Sequence, residues 1–195
     1  SALWELSGEA GLLDAYKKEL ALHGKTADEM KPVVRITTPS TGSGGANIYP
    51  MLVSGSENTT INLGSPLRLG HRNGTRIAEF DEHLKLLYGK YQLAVGNLTK
   101  LLGIEVMNPV NCMKGVMDKL GIPRKYEAEA VDLFLAQYGA GPCTAHEIYF
   151  GISEILYMLA CEGEEGSRIT RMEETIARAL SVNWTEYDIP GAYKW

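Results

Sequence analysis

The sequence predicts an α+β fold: a small, mostly antiparallel N-terminal sheet packed on one long central helix, followed by a C-terminal helical bundle. Short β-branched runs, separated by segments rich in Gly, Thr and Ser, precede residue 74. Apolar residues then recur at alternating spacings of three and four over residues 75–102, and helical periodicity continues beyond them. We therefore expect a single domain over residues 1–195, with a helix-plus-β part at 1–74 and a helical part at 75–195.

The N-terminal part begins with a predicted helix over residues 7–23, with Ser7 as its N-cap and Gly24 just past its end. Four β-rich runs predict short strands, over residues 32–38, 47–53, 59–63 and 66–71. A Gly-rich loop at residues 39–45 separates the first two. We interpret it as a connection, because a phosphate-binding loop requires a helix directly behind it and a strand follows here.

The long helix has one principal apolar stripe and a row of glycines. The stripe contains Ile77, Phe80, Leu84, Leu87, Tyr91, Ala94, Leu98 and Leu101. The glycines, Gly89, Gly96 and Gly103, lie seven residues apart and allow close approach of another backbone. Further apolar residues lie outside the stripe, namely Leu86, Leu93, Val95 and Leu102. We therefore expect the helix to be covered on more than one side.

The last part of the chain predicts four helices and an aromatic tail. Asn108 and Pro109 form an N-cap and first helical residue, and a second helix covers residues 126–138. Thr144 and Glu147 form a capping box for the third, and the fourth runs from residue 167 to about 180. The tail contains Trp184, Tyr187, Tyr193 and Trp195, and we expect it to dock on the domain or on a partner.

The amino-acid composition indicates which cellular compartment and which kinds of partner to expect. Three cysteines in 195 residues favour a reducing compartment, and we expect a cytoplasmic location. No apolar run is long enough to suggest a membrane partner. The net charge of −5 opposes non-specific binding to nucleic acid. Because the sequence starts at Ser1 without an initiator Met, it is interpreted as a processed chain or a fragment of a longer one.

Two groups of basic residues are candidates for binding nucleic acid or another anion. The first lies at the turn into the long helix, whose amides also favour anions, and contains Arg68, His71, Arg72 and Arg76. The second falls within one arc of the final helix and contains Arg168, Arg171 and Arg178. The alternative for both groups is a solvated surface on which nearby Asp and Glu side chains pair with the cations.

The sequence predicts neither a catalytic centre nor a metal or cofactor site. Cys143 precedes a helix start and His146 follows three residues later, which places a thiol near a base. No third catalytic partner is evident, so structural roles for both are favoured. Paired Cys-x-x-Cys or His-x-x-x-His spacings are absent, and we expect no bound metal and no cofactor.

Several segments together carry a family resemblance. They are the strand Pro32-Val33-Val34-Arg35-Ile36 with its Gly-rich loop, the strand end Leu69-Gly70-His71-Arg72, the long helix, and the segment from Thr144 to Ile152. In this order they resemble a phage- and plasmid-associated family of uncharacterised bacterial proteins, over roughly residues 30–180. The resemblance implies a bacterial cytoplasmic protein of a prophage or plasmid, with no established activity and no catalytic residues to transfer.

Three functional hypotheses follow. The first is a non-enzymatic binding module in mobile-element DNA metabolism, which contacts nucleic acid through the two basic groups. The second is an interaction or host-modulating protein that binds a protein partner, or a second copy of itself, through the long helix or the aromatic tail. The third is an enzyme built around Cys143 and His146.

Overall fold

The computed structural model describes residues 2–6, 10–26, 30–38, 45–54, 59–69 and 77–193. Internal contacts divide the chain into two compact units, residues 1–96 and 97–195. The single domain expected from the sequence stays a prediction. The described elements are β1 (Ala2–Glu5), α1 (Asp14–Leu22), β2 (Met30–Thr37), β3 (Ala46–Ser54), β4 (Thr59–Asn62), β5 (Leu67–Leu69), α2 (Ile77–Leu102), β6 (Glu105–Val106), α3 (Pro109–Leu120), α4 (Arg124–Tyr138), β7 (Cys143–Thr144), α5 (Ala145–Cys161) and α6 (Gly166–Ala177).

The first unit contains an antiparallel sheet in the order β1-β2-β3-β4, with β5 also paired to β3. β2 and β3 pair along their length, from Met30 opposite Ser54 to Thr37 opposite Asn47. β4 and β5 pair with opposite ends of β3. The predicted mixed fold and its antiparallel sheet are confirmed. The predicted first helix starts later than expected: a 3-10 turn at Ala10–Leu13 precedes α1, and Ser7 lies outside the described residues.

Side-chain alternation along β2 and β3 gives the sheet two apolar faces. Val34 and Ile48 form a buried cluster with Leu87 of α2, whereas Val33, Tyr49 and Met51 form another. The buried Tyr91 hydroxyl of α2 donates a hydrogen bond to the Met51 carbonyl oxygen at 2.6 Å. Alternation with a period of two therefore buries both faces of these strands, and α2 packs on one of them.

Most of the described residues in the principal apolar stripe of α2 are buried, as predicted. Three leucines that we expected to be covered are exposed, one within that stripe and two outside it. Leu87, Tyr91, Ala94, Leu98 and Leu101 are buried, as are Val95 and Leu102. Leu84, by contrast, is 44% exposed, Leu86 58% and Leu93 66%. At about 100° per residue, Leu86 and Leu93 lie on the side of the helix turned away from Tyr91, so they project from the buried face. The side chains of Ile77 and Phe80 lie outside the described part of the chain.

The second unit contains α3 to α6 and a two-stranded ladder. Val106 pairs with Cys143 and Glu105 with Thr144, so β6 is fastened to the residues just before α5. The predicted capping box is confirmed, since Glu147 N–H donates to Thr144 Oγ1 at 3.4 Å and Thr144 N–H donates to Glu147 Oε2 at 2.8 Å. Among the described residues, no helix is both long and apolar enough to cross a membrane.

The aromatic tail docks on its own unit. Trp184 is fully buried, and its indole N–H donates to the Ala179 carbonyl oxygen at 3.1 Å. The Tyr187 ring lies against α3 at Gly115, where an added Cβ would come within 2.7 Å of a ring carbon. Docking on the domain, one of the two outcomes expected for the tail, is confirmed for these residues. Trp195 lies outside the described residues.

Candidate functional site

The first basic group is described only at Arg68. This residue is exposed in β5, where it stands opposite Asn47 of β3. The other three members, His71, Arg72 and Arg76, lie outside the described residues. Their convergence on an anion therefore stays a prediction.

The second basic group already has nearby acceptors. Arg168 forms an ion pair with Glu164. The Arg178 guanidinium donates to Thr175 Oγ1 at 3.3 Å and to the Leu120 carbonyl oxygen at 3.5 Å. Arg171 is exposed. Local pairing, the alternative weighed against phosphate binding, is confirmed for Arg168.

Cys143 and His146 belong to the structural start of α5. Cys143 is half-buried in β7, and His146 is buried in the first turn of α5 with its ring centroid 4.6 Å from that of Phe150. The capping box of Thr144 and Glu147 overlaps this segment, with Thr144 directly after Cys143 and Glu147 directly after His146. This geometry gives both residues a place in the local architecture without assigning chemistry to either.

Cys112 is a buried thiol that the sequence did not single out. Burial raises its pKa to about 12, and the charges of Asp188 and Cys143 act in the same direction. The protonated thiol donates to the Trp184 carbonyl oxygen at 3.5 Å. A thiol that stays protonated at neutral pH is a poor nucleophile, and the contact that Cys112 makes is with the backbone of the tail. Within the described ranges, no three His, Cys, Asp or Glu side chains form a group suited to a metal ion.

Asp188, near the C-terminal end of the unit, binds the two residues that precede α3. Its carboxylate accepts hydrogen bonds from Met107 N–H at 3.0 Å, Asn108 N–H at 2.7 Å and Asn108 Nδ2 at 2.9 Å. Asn108 is the N-cap residue of α3 and Pro109 its first residue, as predicted, but the Asn108 side chain makes no capping hydrogen bond to α3. It holds the tail instead.

The same contacts set the protonation of Asp188. Desolvation raises the pKa of its carboxyl group, but the hydrogen bonds from Met107 and Asn108 outweigh it and leave the pKa below its usual value. Asn111 adds two neutral contacts, since its Nδ2 donates to the carbonyl oxygens of Ile189 and Gly191, each at 2.6 Å. The tail from Asp188 to Gly191 is thus fastened along the first turn of α3.

Glu127 is a buried carboxyl group on α4. Its side chain is 1% exposed, and its Oε2 atom has no hydrogen-bond partner. Desolvation raises its pKa and the Asp118 charge adds to this, while Arg124 and Lys114 act in the opposite direction. Oppositely charged neighbours thus reduce the cost of the buried carboxylate.

The α2 stripe is an exposed apolar surface, which we define as Leu86, Gly89, Leu93 and Gly96. All four residues are exposed, and a Cβ built at either glycine meets nothing within 4 Å. Lys85 and Lys90 are also exposed and border the stripe on opposite sides by helical spacing, while Glu82 lies at its N-terminal end. We identified the same leucines and glycines from the sequence but assigned them to a covered face.

Comparison with known proteins adds no assignment, because no protein-family model, curated protein or solved structure matches this chain.

Proposed function

We propose that this chain is a non-enzymatic binding module that holds a partner protein on the α2 stripe. The observation that carries the proposal is the exposure of Leu86 and Leu93, at 58% and 66%, on either side of a glycine that leaves the helix surface open. Burying a leucine side chain contributes about 1.5–3 kcal/mol. Two such residues two turns apart, with small residues between and beyond them, match the surface that a second helix covers at close range.

The charges around the stripe favour one kind of partner. Lys85 and Lys90 border it on opposite sides, and each is exposed. A partner helix with an apolar stripe and acidic flanks would bury the leucines and place carboxylates beside both lysines. Charge complementarity of this kind mainly sets specificity and association rate. We therefore assign the stripe to an amphipathic helix with Asp or Glu along both borders.

Two synthetic peptides test this assignment directly. Both carry the same leucine-and-alanine stripe, one with Glu flanks and one with Lys flanks, and each is titrated with the full chain by fluorescence anisotropy. We expect the Glu-flanked peptide to bind more tightly, and added salt to reduce the difference. A Leu86→Asp/Leu93→Asp variant should lose this binding.

Leu133→Asp is the matched control, because it alters an exposed leucine on α4, outside the stripe. This variant should bind as the wild type does. Equal affinity for both peptides, or binding that survives the double substitution in the stripe, would contradict the proposal.

Nucleic-acid binding in mobile-element DNA metabolism is the second candidate. It is favoured by the exposure of Arg68 in a strand that leads toward His71, Arg72 and Arg76 in the sequence. Charge reversal at Arg72 and Arg76 should then weaken binding of short single-stranded and duplex DNA, and wild-type affinity should fall steeply with salt. No binding by the wild type at low salt, or unchanged binding by the double variant, would remove this candidate.

The wider setting belongs to the same proposal. The family resemblance supports a bacterial phage or plasmid origin, and the scarcity of cysteines supports a cytoplasmic location. The length of α2 and its buried principal apolar stripe support its role as the central helix of the fold. An enzyme based on Cys143 and His146 stays the least supported of the three hypotheses.

A further inference from the structure

A second surface, separate from the α2 stripe, lies at the outer edge of the sheet. Within the described residues, β1 pairs only with β2, and all four of its residues are exposed. Leu3 is 53% exposed and Trp4 62%. Natural edge strands usually carry Lys, Pro or a bulge that discourages pairing with another chain. β1 has the sequence Ala-Leu-Trp-Glu, without Lys, Pro or a bulge; its short length and the charge of Glu5 are the two protections that it carries.

The direction of the backbone groups in β1 follows from its pairing with β2. Leu6 N–H donates to the Pro32 carbonyl oxygen at 2.9 Å, one residue beyond the pair Glu5 and Val33. In an antiparallel ladder, alternate residues direct their N–H and C=O groups to the same neighbour. The backbone N–H and C=O groups of Trp4 therefore point toward β2, whereas those of Leu3 and Glu5 point outward, away from the sheet.

We propose that two copies of this chain associate by pairing their β1 strands antiparallel, with Trp4 opposite Trp4 of the second copy. In this register the outward-directed Leu3 lies opposite Glu5 of the second copy, and Glu5 opposite its Leu3. Both are hydrogen-bonded pairs, so every outward backbone group of Leu3 and Glu5 finds a partner. A twofold axis perpendicular to the sheet relates the copies and makes the contact self-complementary.

The side chains select this register over its neighbours. The two Trp4 residues form a non-hydrogen-bonded pair, in which facing side chains come closest and aromatic pairs stabilise the ladder. A shift one way would place Glu5 opposite Glu5 of the second copy, which is destabilising. A shift the other way would place Leu3 opposite Leu3 and Trp4 opposite Ala2, which separates the aromatic pair.

The charges at the junction also favour a second copy as the occupant. The Glu5 carboxylate lies 3.2 Å from Lys31 Nζ on β2, so the only charge in β1 already has a counterion within its own chain. Two identical edges can therefore meet without an unpaired charge. The partner strand offers the aromatic residue, the leucine and the neutralised carboxylate that this register requires, because it is the same strand.

Sedimentation velocity over a concentration series tests the pairing, and opposite charges at residue 3 test the register. Leu3→Glu would face Glu5 of the second copy at two symmetric positions, whereas Leu3→Lys would create two attractive pairs there. We expect the dimer of Leu3→Glu to dissociate at least about tenfold more readily than that of Leu3→Lys. Trp4→Ala should also weaken the dimer. Leu22→Glu is the matched control, since it changes an exposed leucine of α1 outside the sheet.

Circular dichroism spectra and melting curves identify any variant that fails to fold. A charged variant at residue 3 that fails is replaced by Leu3→Gln, whose dimer dissociation constant should lie between those of the two charged forms. A wild-type chain that stays monomeric at every concentration would overturn the proposal. Equal weakening by Leu3→Lys and Leu3→Glu would overturn the register. A dimer lost in Leu86→Asp/Leu93→Asp but retained in Trp4→Ala would move self-association to the α2 stripe and contradict the β1 contact.

Discussion

Replacing Asp188 with alanine should destabilise the second unit by about 2 kcal/mol at neutral pH. The substitution removes the acceptor of three hydrogen bonds, two from the backbone N–H groups that precede α3 and one from Asn108 Nδ2. A hydrogen bond contributes about 0.5–1.5 kcal/mol net, and a negative charge at a helix start adds about 0.3–1 kcal/mol. Because Asp188 is only half-buried, water satisfies part of what is lost, which keeps the expected value near the sum of these two effects.

The effect of Asp188→Ala should depend on pH in a defined direction. The folded-state pKa of Asp188 lies below its usual value of about 3.9, so its stabilisation is complete above that pH and is lost as pH falls through the folded pKa. Urea unfolding followed by the fluorescence of buried Trp184 should therefore show a difference between wild type and variant that shrinks in acid. Asp132→Ala, at an exposed position on α4, is the matched control. A difference under about 0.5 kcal/mol at neutral pH, or one that persists unchanged in acid, would refute this account; surface substitutions without a specific role fall within that range.

Two further substitutions have matched controls on α2. Leu87→Ala should cost about 2–5 kcal/mol in urea unfolding because it opens a cavity beneath the sheet, whereas Leu84→Ala, at a half-exposed position, should cost far less. Equal costs would mean that Leu87 is not a core residue. Gly115→Ala should lower the melting temperature because its Cβ would lie 2.7 Å from a tyrosine ring carbon of the tail. Gly89→Ala should instead raise stability by about 0.5–1 kcal/mol, because its Cβ meets nothing within 4 Å; a loss of stability there would show that the glycine is already in contact.

Local sequence signals predicted the elements that local physics determines. The periodicity of three and four located α2, which is described from Ile77 to Leu102; residues 75 and 76, where the sequence places the helix start, lie outside the described residues. The spacing of Thr144 and Glu147 located the start of α5, since both partners of a capping box lie within one turn. β1 was missed because four residues without β-branched character carry almost no strand signal. The backbone pairing with β2 stabilises this strand, although its own residues show little strand propensity.

Long-range contacts could not be predicted in the same way. Asp188 and Asn108 are 80 residues apart, and an Asn-Pro pair at a helix start normally indicates that the asparagine caps its own helix. Here the Asn108 amide donates to the Asp188 carboxylate instead, in a charge-assisted hydrogen bond that a distant part of the chain supplies. Exposure of Leu86 and Leu93 was equally hidden, since hydrophobicity alone does not distinguish a covered face from one that awaits a partner.

The described polar groups and the described apolar surfaces point to different roles. Several described polar groups make structural contacts: Arg168 with Glu164 and Arg178 with Thr175 nearby in sequence, and Asp188 with the start of α3 across 80 residues. In each of these contacts the polar group is directed at a neighbouring residue or at the backbone. The exposed apolar residues of α2 and β1 differ from these polar groups. Covering a Leu or Trp side chain removes apolar surface from water and so lowers the free energy. The two proposed binding surfaces therefore rest on exposed apolar residues, and they lie on separate elements, the helix α2 and the sheet edge β1.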